Sequence, residues 1–206
     1  MSRKSELPRL RSTLSESRLK PYLAACSDEA AGLRAYERNI FLSARYLVAA
    51  HFCEIALRNE LNDMLRHEMG ENWLHQKGAL LPAQQGQLAI AEKRLRQDGK
   101  QPLNDNLVSE LPFGFWVGLL GRKYEYRQQY WRKVFHRGFV NRPRGMERAE
   151  LYENFNAVRR YRNRIAHHER ILHRKPEKSL NRCLRTIGWI CSRTENWARG
   201  LIARMP

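Results

Sequence analysis

From Ser27 to Gly70 the side chains Leu33, Tyr36, Ile40, Ala44, Leu47, His51, Ile55, Leu61 and Leu65 follow a helical spacing. Ser27 is placed to cap that helix, Asp28 and Glu29 fall in its first turn, and Gly70 is a natural stop. The result is one helix of some forty residues. A helix this long spans a whole domain, so the remaining elements must pack along it.

The rest of the chain also reads as helix. Residues 1–14 are polar and basic and contain Pro8, which predicts a flexible N-terminus ahead of a single domain over 15–206. Ser17 starts a short helix to about Ala25. Trp73 and Leu74 fold back over the end of the long helix. Pro82 starts another helix to about Arg96, and Gly99 and Pro102 mark a loop. Asn106 to Gly121 is the most apolar stretch, either a buried helix bent at Pro112 and Gly114 or a partner-facing surface. A helix from Met146 buries Leu151, Phe155, Val158, Tyr161 and Ile165. Beyond Pro176 a last helix runs from Ser179 to about Ala203, with Leu180, Leu184, Ile187, Ile190 and Trp197 at helical spacing. No strand pattern or internal repeat is visible, so the predicted class is all-α, a single-domain helical bundle.

Composition narrows the partners. The chain of 206 residues carries a formal charge of +17. Sixteen Lys/Arg against five Asp/Glu lie between Arg122 and Lys175. Such an excess favours a polyanion, nucleic acid before membrane. From Arg122 to Arg144 the cations interleave with aromatics. Trp131 and Phe135 read as core, whereas Tyr124, Tyr126 and Tyr130 are equally suited to stacking on exposed bases. Four scattered cysteines, Cys26, Cys53, Cys183 and Cys191, read as reduced, buried thiols of a cytoplasmic protein. The uncharged run Leu111 to Gly121 is about half a bilayer span, and no leader is apparent, so no membrane association is expected.

The chemistry concentrates in residues 158–170, where five arginines and two histidines fall within thirteen positions with no Gly or Pro. Arginine stays charged and matches phosphate oxygens as a fork. Histidine exchanges a proton near neutral pH. Arg162, Asn163 and His167 therefore suit RNA phosphodiester cleavage without a metal or other cofactor. A solvated basic helix face is the plainer alternative. Asn163 and His167, four apart, share one helix face. Asn163 can orient the imidazole or hold a phosphate oxygen. Arg162 is about 140° away from His167 on an ideal helix.

These residues resemble the HEPN ribonuclease signature: an Arg, four to six intervening residues of which the first is polar, then a His. Further blocks extend the resemblance to the Abi-like (abortive-infection) branch over roughly residues 15 to 175. They are Ser17-Arg18-Leu19 with Pro21-Tyr22-Leu23, Tyr36 to Asn39, Glu54 to Asn59, and Leu111-Pro112-Phe113-Gly114-Phe115-Trp116. Arg38 departs from the aromatic usual before Asn39. The resemblance implies a HEPN-type bundle and a homodimer with two signatures facing across a cleft. It implies an endoribonuclease with Arg162, Asn163 and His167 as catalytic residues, supported by Glu54, Arg58, Asn59 and Glu169. Arg159, Arg160, Arg164 and Arg170 would hold flanking phosphates of the RNA substrate. It also implies a toxin-like effector in phage defence, with an antitoxin protein or RNA as partner. The alternative is a non-catalytic RNA-binding module of the same fold.

Overall fold

The computed structural model describes residues 7–205, and the fold is all-α, with no strand among them. In chain order the helices are α1 (Leu7–Leu14), α2 (Glu16–Leu23), α3 (Glu29–Met69), α4 (Pro82–Gln97), α5 (Asn104–Glu110) and α6 (Phe113–Leu119). They continue with α7 (Arg122–Arg127), α8 (Tyr130–Lys133), α9 (Arg148–Ala166), α10 (Pro176–Ile190) and α11 (Ser192–Ala203).

The long helix exists, at 41 residues, and its cap is Asp28 rather than Ser27: the Asp28 carboxylate accepts from Ala31 N–H at 2.7 Å. Gly70, at φ 90°, ends it. A Cβ on Gly32 would come within 2.9 Å of Leu23 Cα, so this glycine lets α2 cross close to α3.

The buried row of α3 is not the expected one. Leu61 and Leu65 are buried, but nearer the N-terminus the inward row is Tyr46, Ala49, Ala50, Cys53 and Leu57. Ile40 and Leu47 are 50% and 40% exposed. Apolar residues occupy two rows here, and the smaller Ala49, Ala50 and Cys53 let α10 approach. Bulk alone picks the wrong row. An eighteen-residue window of α3 reaches a mean hydropathy of 1.5, enough by length and composition for a membrane span, with only 28% of it buried.

Other boundaries also shift. Pro8 does not prevent α1, because a proline in the first turn removes no helical hydrogen bond. The flexible segment expected over 1–14 is thus helical from Leu7, and residues 1–6 lie outside the described residues. Ser15, not Ser17, caps α2 by accepting from Arg18 N–H. The apolar stretch breaks at Pro112 into α5 and α6 and is buried, with Phe115 and Trp116 fully enclosed. The last helix is two, since Cys191 is extended (φ −146°, ψ 111°) between α10 and α11. Trp197 is 65% exposed and packs on Phe52. Cys53 and Cys183 are buried thiols, whereas Cys26 and Cys191 are only partly so.

Two buried asparagines tie the scaffold. Asn62 Oδ1 accepts from Trp73 Nε1 at 3.0 Å and holds the fold-back at the end of α3. Asn39 Oδ1 accepts from Ile171 N–H at 2.8 Å and holds the segment that follows α9. Tyr46 Oη donates to Val158 O at 3.3 Å, and its ring lies 4.6 Å from that of Tyr161. Together these contacts lay the C-terminal half of α9 against the N-terminal half of α3.

Candidate functional site

The α9 helix is positioned by its apolar stripe. Leu151, Phe155, Val158, Tyr161 and Ile165 are all buried, as their spacing predicts. The stripe leaves Asn163 and His167 on the outward side. The helix then stops at Ala166, inside the 158–170 stretch that no Gly or Pro interrupts. The cause is a left-handed residue, His168, at φ 57°. His168 N–H donates to Ile165 O at 2.8 Å and Glu169 N–H to Arg164 O at 2.9 Å, the paired bonds of a Schellman C-cap. Glycine usually fills that position, so a histidine there gave no stop signal in the sequence. Arg18 of α2 donates to His168 O at 2.8 Å and fixes the turn from outside.

His167 is the C-cap residue, still close to helical at φ −87° and ψ 12°. Its side chain is exposed, and its ring makes no hydrogen bond with another described residue. Arg162 is half-buried. Its Nη2 lies 3.8 Å from Glu54 Oε2, and its Nη1 donates to Asn163 Oδ1 at 3.4 Å. Glu54 therefore pairs across helices with Arg162, not along α3 with Arg58. Arg58 Nε instead donates to Asn59 Oδ1 at 3.3 Å. Arg162, Asn163 and Glu54 are brought together, Arg58 and Asn59 form a neighbouring pair, and His167 stands apart from both.

The flanking arginines are less free than a basic stretch implies. Arg159 forks onto Asn156 Oδ1 through Nε and Nη2, at 3.1 and 2.8 Å. Arg160 lies 3.7 Å from Glu153. Arg164 donates to Glu169 at 2.7 Å. Arg170 sits over the Tyr22 ring at 5.2 Å. Exposed pairs of this kind contribute little and a phosphate can displace them.

Sequence reasoning missed two features nearby. His173 follows the signature on a short 3-10 turn, where desolvation and the cations Arg174, Arg170 and Arg164 push its pKa down. The second concerns the tyrosines of 122–144. Tyr124 and Tyr130 are buried and stacked at 5.6 Å, with their hydroxyls bonded to Leu81 N–H and Ala79 O. Tyr126 is 86% exposed. Helical spacing separates the two kinds only once the fold says which way α7 faces. Phe135 is buried and Trp131 partly so, with Arg142 over its ring at 5.3 Å.

Among the described residues no three His, Cys, Asp or Glu side chains converge as metal ligands. No protein-family model, curated protein or solved structure matches the chain.

Proposed function

We propose that this chain is a HEPN-type, Abi-like endoribonuclease, a toxin-like effector that cleaves RNA without a metal. The observation that carries the reading is the end of α9. A histidine stands on the free face at the last near-helical position, five residues after a half-buried Arg162 held by Glu54 and Asn163 and facing away from it. In the proposed reaction a ribose 2′-oxygen bonds to the adjacent phosphorus and the bond to the 5′-oxygen breaks. The products are a 2′,3′-cyclic phosphate and a 5′-OH. The 2′-oxygen gives up its proton and the leaving 5′-oxygen gains one; His167 serves as general base or general acid for one of these transfers, and water carries the other. Arg162 stabilises charge growing on the non-bridging oxygens.

A second copy of the chain completes the site, because Arg162 and His167 face about 140° apart. The apolar row of α3 supports this. Ile40, Leu47 and Glu54 are seven apart and share one side of the helix, so the exposed row leads directly to Arg162. Covering that row with a partner would place two signatures near the symmetry axis. Sedimentation at micromolar concentration should then give about twice the 24.4 kDa chain mass. A strict monomer that still cleaves RNA sinks the two-copy site.

One observation favours the second reading, a non-catalytic RNA-binding module regulated by a partner protein or RNA: no described residue hydrogen-bonds the His167 ring. Incubation with mixed RNAs in EDTA separates the two. Cleavage leaving cyclic phosphate ends supports the nuclease, and binding without products supports the module.

A further inference from the structure

A groove of about 1100 Å³ lies between the start of α4, the turn from α6 into α7 and the N-terminal half of α9. It is distinct from the Arg162–His167 end of α9. Its walls carry four cations, Arg122, Lys123, Arg127 and Arg148, against one carboxylate, Glu153. Arg122, Lys123 and Arg127 are exposed, and none makes an ion pair with another described residue. Arg148 spends one N–H on Leu120 O at 2.8 Å and keeps the rest of its fork. Glu153 is already within 3.7 Å of Arg160. The groove is thus strongly positive, and its cations are freer than those around the signature.

Tyr126 adds the second element. Its ring lines the groove and is 86% exposed, whereas Tyr124 and Tyr130, two and four residues away, are buried. Packing does not account for a ring so exposed among free cations. A flat aromatic surface beside phosphate-binding side chains suits an unpaired base. The bases of a duplex are stacked inside and offer no such face.

The third element is the direction of α9. Counting 100° per residue, Ala149, Tyr152, Glu153, Arg160, Asn163 and His167 lie within about 60° of one direction. The groove and the signature therefore lie toward one side of α9, with Asn156, buried and hydrogen-bonded to Arg159, between them. From Tyr152 to Asn163 the rise is about 16 Å at 1.5 Å per residue. That corresponds to about five phosphates at the 3.4 Å spacing of a stacked strand, and fewer if it is extended.

From this we infer that the groove is a binding site for single-stranded RNA. It stacks one base on Tyr126, holds the neighbouring phosphates on Arg122, Lys123 and Arg127, and delivers the strand along α9 to the signature. The inference rests on the RNA reading above and adds a recognition site several nucleotides from the bond to be cut.

The test measures fluorescence anisotropy of an unstructured twelve-nucleotide RNA, a DNA strand of the same sequence and the blunt RNA duplex, all in EDTA. The proteins are wild type, Tyr126→Ala, Tyr126→Trp and Arg122→Ala/Arg127→Ala. Tyr126→Ala should weaken both single strands about ten-fold or more. Tyr126→Trp should restore them, and the duplex should be insensitive to either change. The arginine pair should lower the salt slope by about 1.4 for the single strands. A 4-thiouridine in the RNA should crosslink to the 122–127 segment. Unchanged single-strand affinity in Tyr126→Ala, crosslinks only elsewhere, or no wild-type binding to either strand overturns the groove. The DNA strand separates this inference from the nuclease reading, since it offers the same bases and phosphates but has no 2′-OH. If single strands bind through Tyr126 and RNA is never cut, the groove stands and the nuclease falls. If RNA is cut and Tyr126→Ala binds like wild type, the reverse holds.

Discussion

The Arg162 guanidinium lies 3.8 Å from the Glu54 carboxylate, Nη2 to Oε2, and makes no hydrogen bond to His167. Arg162 is 41% exposed in this pair, so the contact positions the cation more than it stabilises the fold. Glu54→Gln should change folding stability by less than about 0.5 kcal/mol. It should tighten RNA binding by removing a negative charge, and slow single-turnover cleavage by loosening Arg162. Denaturant titration, anisotropy and rapid-quench kinetics on one RNA check the three effects. A faster cleavage step in this variant would show that Glu54 restrains the site.

Loss of the proposed acid/base gives the sharpest outcome. His167→Ala should slow cleavage by on the order of 10²–10⁴ while RNA binding largely survives. Arg162→Ala should lose cleavage as well, and Arg162→Lys should remain impaired, because an ammonium does not reproduce a two-pronged fork. Wild-type single-turnover rates for His167→Ala would falsify the catalytic assignment.

The neighbouring histidine supplies a control suited to its backbone. His168 is left-handed at φ 57°, a conformation that strains any residue with a Cβ, so the wild type and His168→Ala both carry that cost. The two should be equally stable to within about 0.5 kcal/mol. His168→Gly accepts that conformation freely and should match or slightly exceed wild-type stability. Cleavage by His168→Gly should stay within a few-fold of wild type. If it falls as far as in His167→Ala, the acid/base is misassigned.

Asn39→Ala removes the acceptor for Ile171 N–H and leaves a buried donor unbonded. Thermal or urea unfolding should show a loss of about 1–3 kcal/mol. Hydrogen exchange should rise first at Ile171 and in the turn after α9. An unchanged exchange pattern would mean that Asn39 does not hold that turn.

Alkaline pH should weaken the fold. Burial pushes the Tyr124 hydroxyl up to about 12 and raises Tyr130 and Tyr46 as well. Below pH 10, the ordinary value, these tyrosines are protonated both folded and unfolded. Above it the unfolded chain loses their protons first, so stability falls as pH rises from about 10 towards 12. Urea midpoints across that window should decline. Tyr124→Phe should flatten part of the decline, at the cost of leaving Leu81 N–H without its partner.

The chain's periodicities alone determine an all-α bundle around a helix of some forty residues, and they assign the buried stripe of α9 residue by residue. Those are local properties: spacing, an acidic first turn and the absence of breakers act within a few turns. Tertiary structure decided the rest. It chose the row of α3 that faces inward, because the small Ala49, Ala50 and Cys53 admit α10 while bulkier neighbours remain outside. It gave Glu54 to Arg162 rather than to Arg58, a choice between one helix and two. It ended α9 at His168 with a left-handed turn braced by Arg18, some 150 residues earlier in the chain. It also separated Tyr126 from Tyr124 and Tyr130, since exposure depends on what packs against α7. A side chain's identity sets which bonds it is able to make. The partner it takes depends on which distant segment arrives beside it, and one-dimensional spacing does not encode that.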